Sequence, residues 1–277
     1  MERLSKILDA EPKIVDGEET DASISEITGA IRFENVSYRY NDEGEHVLRN
    51  LNFEVGAGRT LAIVGRTGSG KTTLVEMIPR LLDATSGSIY IDGKHIQQIP
   101  INVLRNGIGY VPQEVFLFSD TISNNIAFGN MGAEQQAIVA AASEADLLEN
   151  VQAFSEGFET FVGERGITLS GGQKQRTSIA RALVRSPKIL ILDDALSSVD
   201  VDTERTILGH LRRQFGKRTV VIVSHRISAV QEADHIIVLE DGAIAEAGTH
   251  DLLLSMNGIY ASLYRKQLLE EELAAME

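Results

Sequence analysis

Residues 61–72 read Leu61-Ala62-Ile63-Val64-Gly65-Arg66-Thr67-Gly68-Ser69-Gly70-Lys71-Thr72. Positions 61–65 form a short apolar run of the kind expected of a strand buried on both faces. Gly65 to Thr72 then fits the spacing G-x-x-x-x-G-K-[ST]. Glycines let a loop wrap a chain of phosphates with its backbone N–H groups turned inward. A helix starting at the loop's end aims its positive pole at the same anion. Lys71 adds a point charge suited to β- and γ-phosphates, and Thr72, followed by Thr73, offers a hydroxyl to Mg2+. A chance glycine-rich turn is the bland alternative. Context argues against it, because an apolar strand precedes the loop and a helical pattern, expected from Gly70 to about Leu82, follows.

Outward from this strand–loop–helix unit, IRFENVSYRY (31–40) and LNFEV (51–55) read as strands rich in aromatic and β-branched residues. SIYIDG (88–93) and IGYV (108–111) are further short strands. From about 114 to 186 the texture is mostly helical, with the alanine-rich AEQQAIVAAASEA as a strong helix former. Buried strands return at KILIL (188–192) and TVVIV (219–223), separated by a helix expected from about Asp202 to Phe215, a βαβ unit. HIIVLEDGAIAEAG predicts a hairpin turning at Asp241-Gly242, and a helix with an acidic tail is expected from Ile259. The fold class is α/β: one domain with an inserted helical lobe. Residues 1–30 hold 8 Asp or Glu against 3 Lys or Arg and are broken by Pro12 and Gly17, which predicts a solvated linker. Leu4, Ile7 and Leu8 suggest the end of a helix begun upstream.

The chain has 277 residues and a net charge of −14, so it lacks the cationic surface that non-specific nucleic-acid binding needs. It contains no cysteine, which excludes disulfides, thiolate zinc sites and cysteine nucleophiles. No stretch approaches the ~18 apolar residues of a membrane span. The first residues lack the apolar core and cleavage site of a secretory signal.

Two further segments carry chemistry. Ile189-Leu190-Ile191-Leu192-Asp193 is an apolar strand ending in a carboxylate, at the sheet edge where open α/β sheets bind ligands. Asp193 can hold Mg2+ opposite Thr72, although many buried strands end in an Asp that merely caps a helix. Leu169-Ser170-Gly171-Gly172-Gln173 heads a helix through Leu183, giving either an anion site at a helix N-terminus or a plain cap by Ser170.

Together these segments resemble the nucleotide-binding domain of ABC (ATP-binding cassette) transporters, over residues ~31 to ~265. LSGGQ is that family's signature and lies in the family's order, between the phosphate loop and the Asp strand. The resemblance implies a P-loop NTPase core with an N-terminal antiparallel β-subdomain and an inserted α-helical subdomain. Residues 31–113 and 187–277 would be the core and β-subdomain, and 114–186 the helical part. It implies ATP and Mg2+ as ligands. Tyr40 falls where the family stacks an aromatic ring on adenine. Gly65, Arg66, Thr67, Gly68, Ser69, Gly70, Lys71, Thr72 and Thr73 would hold the phosphates. Gln113, in Val-Pro-Gln-Glu, matches the glutamine that contacts Mg2+, together with Thr72 and Asp193. Ser197-Ser198-Val199-Asp200 resembles the D-loop. His225, in Val-Ser-His-Arg, matches the switch histidine that contacts the γ-phosphate.

Within the family, several stretches are similar to exporters. ERLSKILDAEP resembles the segment leaving the last transmembrane helix of a fused exporter, so residues 1–30 would link to a transmembrane domain upstream. Phe116-Leu117-Phe118-Ser119-Asp120-Thr121-Ile122 resembles the stretch that receives the membrane domain's coupling helices. Gly163-Glu164-Arg165-Gly166 matches an exporter-type loop. The implied place is the cytoplasmic face of the cell membrane, and the implied partner a second ABC domain closing head-to-tail over ATP. Ser170, Gly171, Gly172 and Gln173 would then serve the partner's site.

One position departs from the pattern. Where the family usually has a glutamate that polarises the attacking water, this sequence has Asp194. With the signature intact and His225 present, this resembles one half of a heterodimeric exporter, with a slow and a competent site. The alternative is a homodimer in which Asp194 is an adequate base. Chromosome-maintenance and DNA-repair ATPases share these motifs but insert long coiled coils between them. Here Lys71 and Ser170 stand 99 positions apart with no heptad run between. A regulatory module that holds ATP without turning it over is the third alternative.

Overall fold

A computed structural model describes residues 12–41, 43–212 and 218–274. Leu4, Ile7 and Leu8 lie outside the described residues, as does Phe215.

Two sheets form. The first is antiparallel and contains β1 (Ile31–Tyr38), β2 (Leu48–Val55), β4 (Ser86–Ile91) and β5 (Lys94–His95), in the order β2-β1-β4-β5. The second takes β3 (Thr60–Val64), β6 (Ile108–Val111), β7 (Ile189–Asp193), β8 (Thr219–Val223), β9 (His235–Glu240) and β10 (Ala243–Gly248) in the order β10-β9-β3-β8-β7-β6. Only β10 runs antiparallel to its neighbour there; the other pairs are parallel. The β9–β10 hairpin turns at Asp241 (φ 47°) and Gly242 (φ 79°), the two left-handed residues that match strand twist.

The central strands read as continuous apolar runs because both faces are covered. Along β3, Leu61 and Ile63 pack into the core under the first sheet, while Ala62 and Val64 face the helical side. Alternate residues of β7, β8 and β9 divide in the same way, the period-2 rule with neither face wet. The helices in chain order are α1 (Lys71–Met77), α2 (Ile101–Asn106), α3 (Ile122–Ala127), α4 (Gln135–Glu144), α5 (Leu148–Ala153), α6 (Gly171–Leu183), α7 (Val201–Arg212), α8 (Ile227–Val230), α9 (His250–Met256) and α10 (Ile259–Ala274). Between β6 and β7 the regular elements are helical, as expected, and α3 and α4 pack on α6. The α/β class, the antiparallel sheet near the N-terminus and the helical insertion all match expectation.

Two details differ. The helix after the phosphate loop ends at Met77, not near Leu82. Pro79 has no N–H to continue the ladder, and Arg80 then turns left-handed at φ 53°. Packing also begins upstream of Ile31. Ile27 is buried, and the Asp92 carboxylate accepts from the N–H groups of Thr28, Gly29 and Ala30 at 2.6, 3.0 and 2.8 Å. Gly29 sits so close that a Cβ there would meet Thr219 Oγ1 at 2.9 Å, so residues 27–30 are a strap on the core rather than solvated chain. Among the described residues no helix is long and apolar enough to cross a membrane.

Candidate functional site

The C-terminal ends of four parallel strands open onto one cleft of about 220 Å3. β3 delivers Thr67, Gly68, Gly70, Lys71, Thr72 and Thr73; β6 delivers Gln113; β7 delivers Asp193 and Asp194; β8 delivers Val223 and His225. Residues from Thr67 to His225 meet because parallel strands all present their C-terminal ends at one edge, where ligands of open α/β sheets lie.

Gly65 and Gly70 shape the loop. A Cβ at Gly65 would come within 2.2 Å of the Leu239 carbonyl on β9, and one at Gly70 within 2.8 Å of Leu48 Cδ2. Both have positive φ, 153° and 98°. Lys71 folds back, its Nζ donating to the carbonyls of Gly65 and Arg66, both at 2.8 Å. Burial lowers its pKa, opposed by the carboxylates of Asp194 and Asp193. The hydroxyl of Ser69 is buried with no hydrogen-bond partner.

Facing the loop, Asp193 is almost fully buried and accepts from Thr72 Oγ1 and from the Tyr110 hydroxyl, each at 3.3 Å. Burial raises its pKa, and those two bonds hold it down. Asp194 is left-handed at φ 49°, a region Asp tolerates better than most residues. Burial raises its pKa as well, while His225, Lys71 and Arg226 draw it back. These groups suit a magnesium–triphosphate: a cation now satisfied only by loop carbonyls, an unpartnered hydroxyl, and a hydroxyl and a carboxylate side by side as hard oxygen donors.

Tyr40 does not line the cleft. It is 59% exposed, its ring edge-on to Tyr38 at 5.0 Å, and its hydroxyl lies 3.0 Å from Oγ1 of Thr73, which does line the cleft. Arg66 lines a neighbouring cleft that shares Thr67 and His225 with the first. Ser170, Gly171, Gly172 and Gln173 are not brought to the cleft. Ser170 and Gln173 form a reciprocal cap at the start of α6, with Gln173 Oε1 accepting from Ser170 N at 2.9 Å. The two glycines press on the D-loop: a Cβ at Gly172 would lie 3.2 Å from the Ser198 carbonyl.

Sequence reasoning missed Tyr110, whose burial drives its pKa up and keeps it a donor to Asp193. It also missed Gln175, which accepts from Ser198 N at 2.9 Å and donates to Ser197 Oγ at 3.1 Å. Tyr110 sits on a strand the sequence did identify, but its reach to Asp193 depends on the pairing of β6 with β7, which the sequence does not display.

A glycine-rich loop between buried strand and helix, faced by a strand-end aspartate, defines a nucleotide-binding domain of the phosphate-loop class. The chain belongs to the ABC transporter family, whose sequence model matches residues 48–197. It is similar to the ABC transporter ATP-binding protein YfiB of Bacillus subtilis (strain 168), 44% identical over 96% of this chain and 46% of that protein. It is 42% identical to an ATP-dependent lipid A-core flippase of Syntrophus aciditrophicus (strain SB), over 98% of this chain and 45% of the relative. Its fold matches a bacterial Atm1-family ABC exporter solved with ATP bound, with TM-score 0.90, 38% identity, and coverage of 96% of this chain and 46% of that one. The chain thus spans somewhat under half the length of these relatives.

Proposed function

We propose that this chain binds ATP with Mg2+ in the 220 Å3 cleft and hydrolyses it to drive a transmembrane domain fused upstream, from the cytoplasmic face of the membrane. The observation that carries this is the meeting of Lys71, Thr72, Gln113, Asp193, Asp194 and His225 at the ends of four parallel strands. The loop from Gly65 to Thr73 cradles the phosphates, and Lys71 exchanges its two loop carbonyls for phosphate oxygens. Tyr40, next to Thr73, meets the adenine. Thr72, Gln113 and Asp193 hold the metal, and a bound Mg2+ supplies charge neutralisation at the phosphate oxygens. Asp194 orients the attacking water, and His225 contacts the terminal phosphate.

The signature serves a second ABC domain's site. Its support is position: Ser170, Gly171 and Gln173 cap a helix away from this chain's own cleft, with Ser170 and Gly171 exposed. Asp194 favours a partner that is a different chain with a competent site. Membrane-domain docking falls on exposed Phe116, Phe118 and Phe128, whose rings lie 5.2 and 4.4 Å apart in sequence. Arg181 Nε and Nη1 brace this patch from α6, bonded to the carbonyls of Asn125 and Phe116 at 2.8 Å. The net charge of −14 speaks against a nucleic-acid partner. A regulatory module that holds ATP without turnover is the second reading, favoured only by Asp194, and a single-turnover ATPase assay separates the two.

Lys71→Ala tests the assignment. Losing a buried cation with charge-assisted bonds should weaken equilibrium binding of an ATP analogue by about 3 kcal/mol, roughly a hundredfold. Unchanged binding overturns the phosphate-loop assignment.

A further inference from the structure

His225 lies on a short segment, Ser224 to Ile227, between the end of β8 and the four-residue α8. The His225 backbone N–H donates to the Asp194 carboxylate, and few other backbone bonds hold this segment among the described residues. Ser224 N donates to Ile63 O at 3.4 Å, and Arg226 N donates to Ser224 Oγ at 3.0 Å. On one side the Arg226 guanidinium grips the D-loop, donating to the carbonyls of Val199 and Ser197 at 2.9 and 3.1 Å and to buried Glu204 at 2.8 Å. On the other side the tie comes from 40 positions away: Ile227 N–H donates to Gln267 Oε1 at 2.6 Å.

Gln267 belongs to the C-terminal helix α10, which is anchored one to two turns earlier. Tyr260 is fully buried and its hydroxyl lies 2.8 Å from His250 Nδ1, while Leu263 and Tyr264 pack on the core. Arg226, the residue before α8, makes no side-chain cap bond to that helix. The side chain of Gln267 therefore supplies the cap that α8 lacks locally. It also lines the neighbouring cleft of about 630 Å3 together with Gly65, Thr67 and His225, so α10 forms a wall beside the phosphate loop.

We propose that Gln267 is a positioning residue for His225: through one carbonyl oxygen, the C-terminal helix fixes the backbone two residues beyond the histidine and so sets where the imidazole stands. This rests on the reading that His225 contacts the terminal phosphate. A catalytic group displaced by about 1 Å can lose on the order of a hundredfold in rate. Loosening this one of several ties should cost about tenfold. Nucleotide affinity, set by the loop and Lys71, should stay within about twofold.

The test uses Gln267→Leu, which keeps the bulk and removes the acceptor, and Gln267→Glu, which keeps the acceptor. In the isolated chain, the imidazole NMR signal of His225, assigned with His225→Asn, should shift or broaden and the Ile227 amide should exchange faster in the Leu variant. The Glu variant should match the native chain in both. In the assembled transporter with the partner's site disabled, the Leu variant should lower kcat at this chain's own site about tenfold with nucleotide affinity unchanged, and the Glu variant should restore it. A native His225 signal in the Leu variant overturns the proposal. So does unchanged kcat in a background where His225→Ala abolishes turnover. If His225→Ala itself leaves turnover at this chain's own site intact, with the partner's site disabled, the switch-histidine reading fails instead.

Discussion

Asp194→Glu is the sharpest perturbation of the site. The carboxylate of Asp194 stands one methylene short of a glutamate's, about 1–1.5 Å, and a misplacement of about 1 Å can cost on the order of a hundredfold in rate. That is about 2.7 kcal/mol of barrier. The backbone takes part of it back. Asp194 is left-handed at φ 49°, which Asp accepts more readily than Glu, at a difference of order 1 kcal/mol. If all of that strain were relieved by shifting the new carboxylate, about 1.7 kcal/mol remains, roughly a twentyfold gain in turnover. Binding should change little, because Lys71, Thr72, Asp193 and the loop are untouched. The assay is ATP turnover at this chain's own site in the assembled transporter, with the partner's site disabled. A gain of about tenfold or more supports a slow native site that retains ATP through many turnovers of its partner. No gain, with a native rate already typical of exporter domains, refutes the slow-site reasoning and removes the main ground for a heterodimer.

Asp194→Asn should raise the unfolding temperature of the nucleotide-free chain at pH 7. The folded pKa of Asp194 lies above its ordinary value of 3.8, so the ionised carboxylate is disfavoured in the fold at neutral pH and the neutral one is not. The gain should be about 2–4 °C at most, since the side chain is only partly buried and solvent screens it. It should vanish as pH falls through the folded pKa to below 3.8; a gap that persists in calorimetry at pH 3 contradicts this. Ser170→Arg should leave ATP binding at this chain's own loop nearly intact and block turnover at the partner's site, at a folding cost of about 1 kcal/mol for the lost cap. Loss confined to this chain's own site contradicts the head-to-tail arrangement.

The core of the fold was legible because its signals are local. The apolar runs 61–65, 188–192 and 219–223 become three adjacent parallel strands, since only a strand covered on both faces carries apolar residues at every position. The Asp241-Gly242 turn was legible for the same local reason. What misled was composition read without partners. The acidic, Gly-containing lead-in reads as solvated chain, yet Asp92, some 60 residues away, gathers its backbone and Ile27 fills the core. Pro79 was a local signal that the longer helical pattern obscured.

The site divides along the same line. Lys71, Thr72 and Asp193 announce themselves by spacing, because their chemistry is tied to a strand end or a loop of fixed length. The residues that hold them in place do not. Tyr110 supports Asp193 across a strand pair, Gln175 and Arg226 hold the D-loop from opposite sides, and Gln267 reaches Ile227 from the C-terminal helix. Each is a polar side chain aimed at a backbone group or carboxylate distant in sequence, a relation that no periodicity encodes. The consequence is mechanical. The signature helix, the D-loop and the switch segment share side-chain bonds within one chain, so moving any one of them breaks contacts made by the next. In the head-to-tail arrangement proposed above, such a connection would link the chain's own cleft to its signature, and Gln175 and Arg226 are where substitution should uncouple the two.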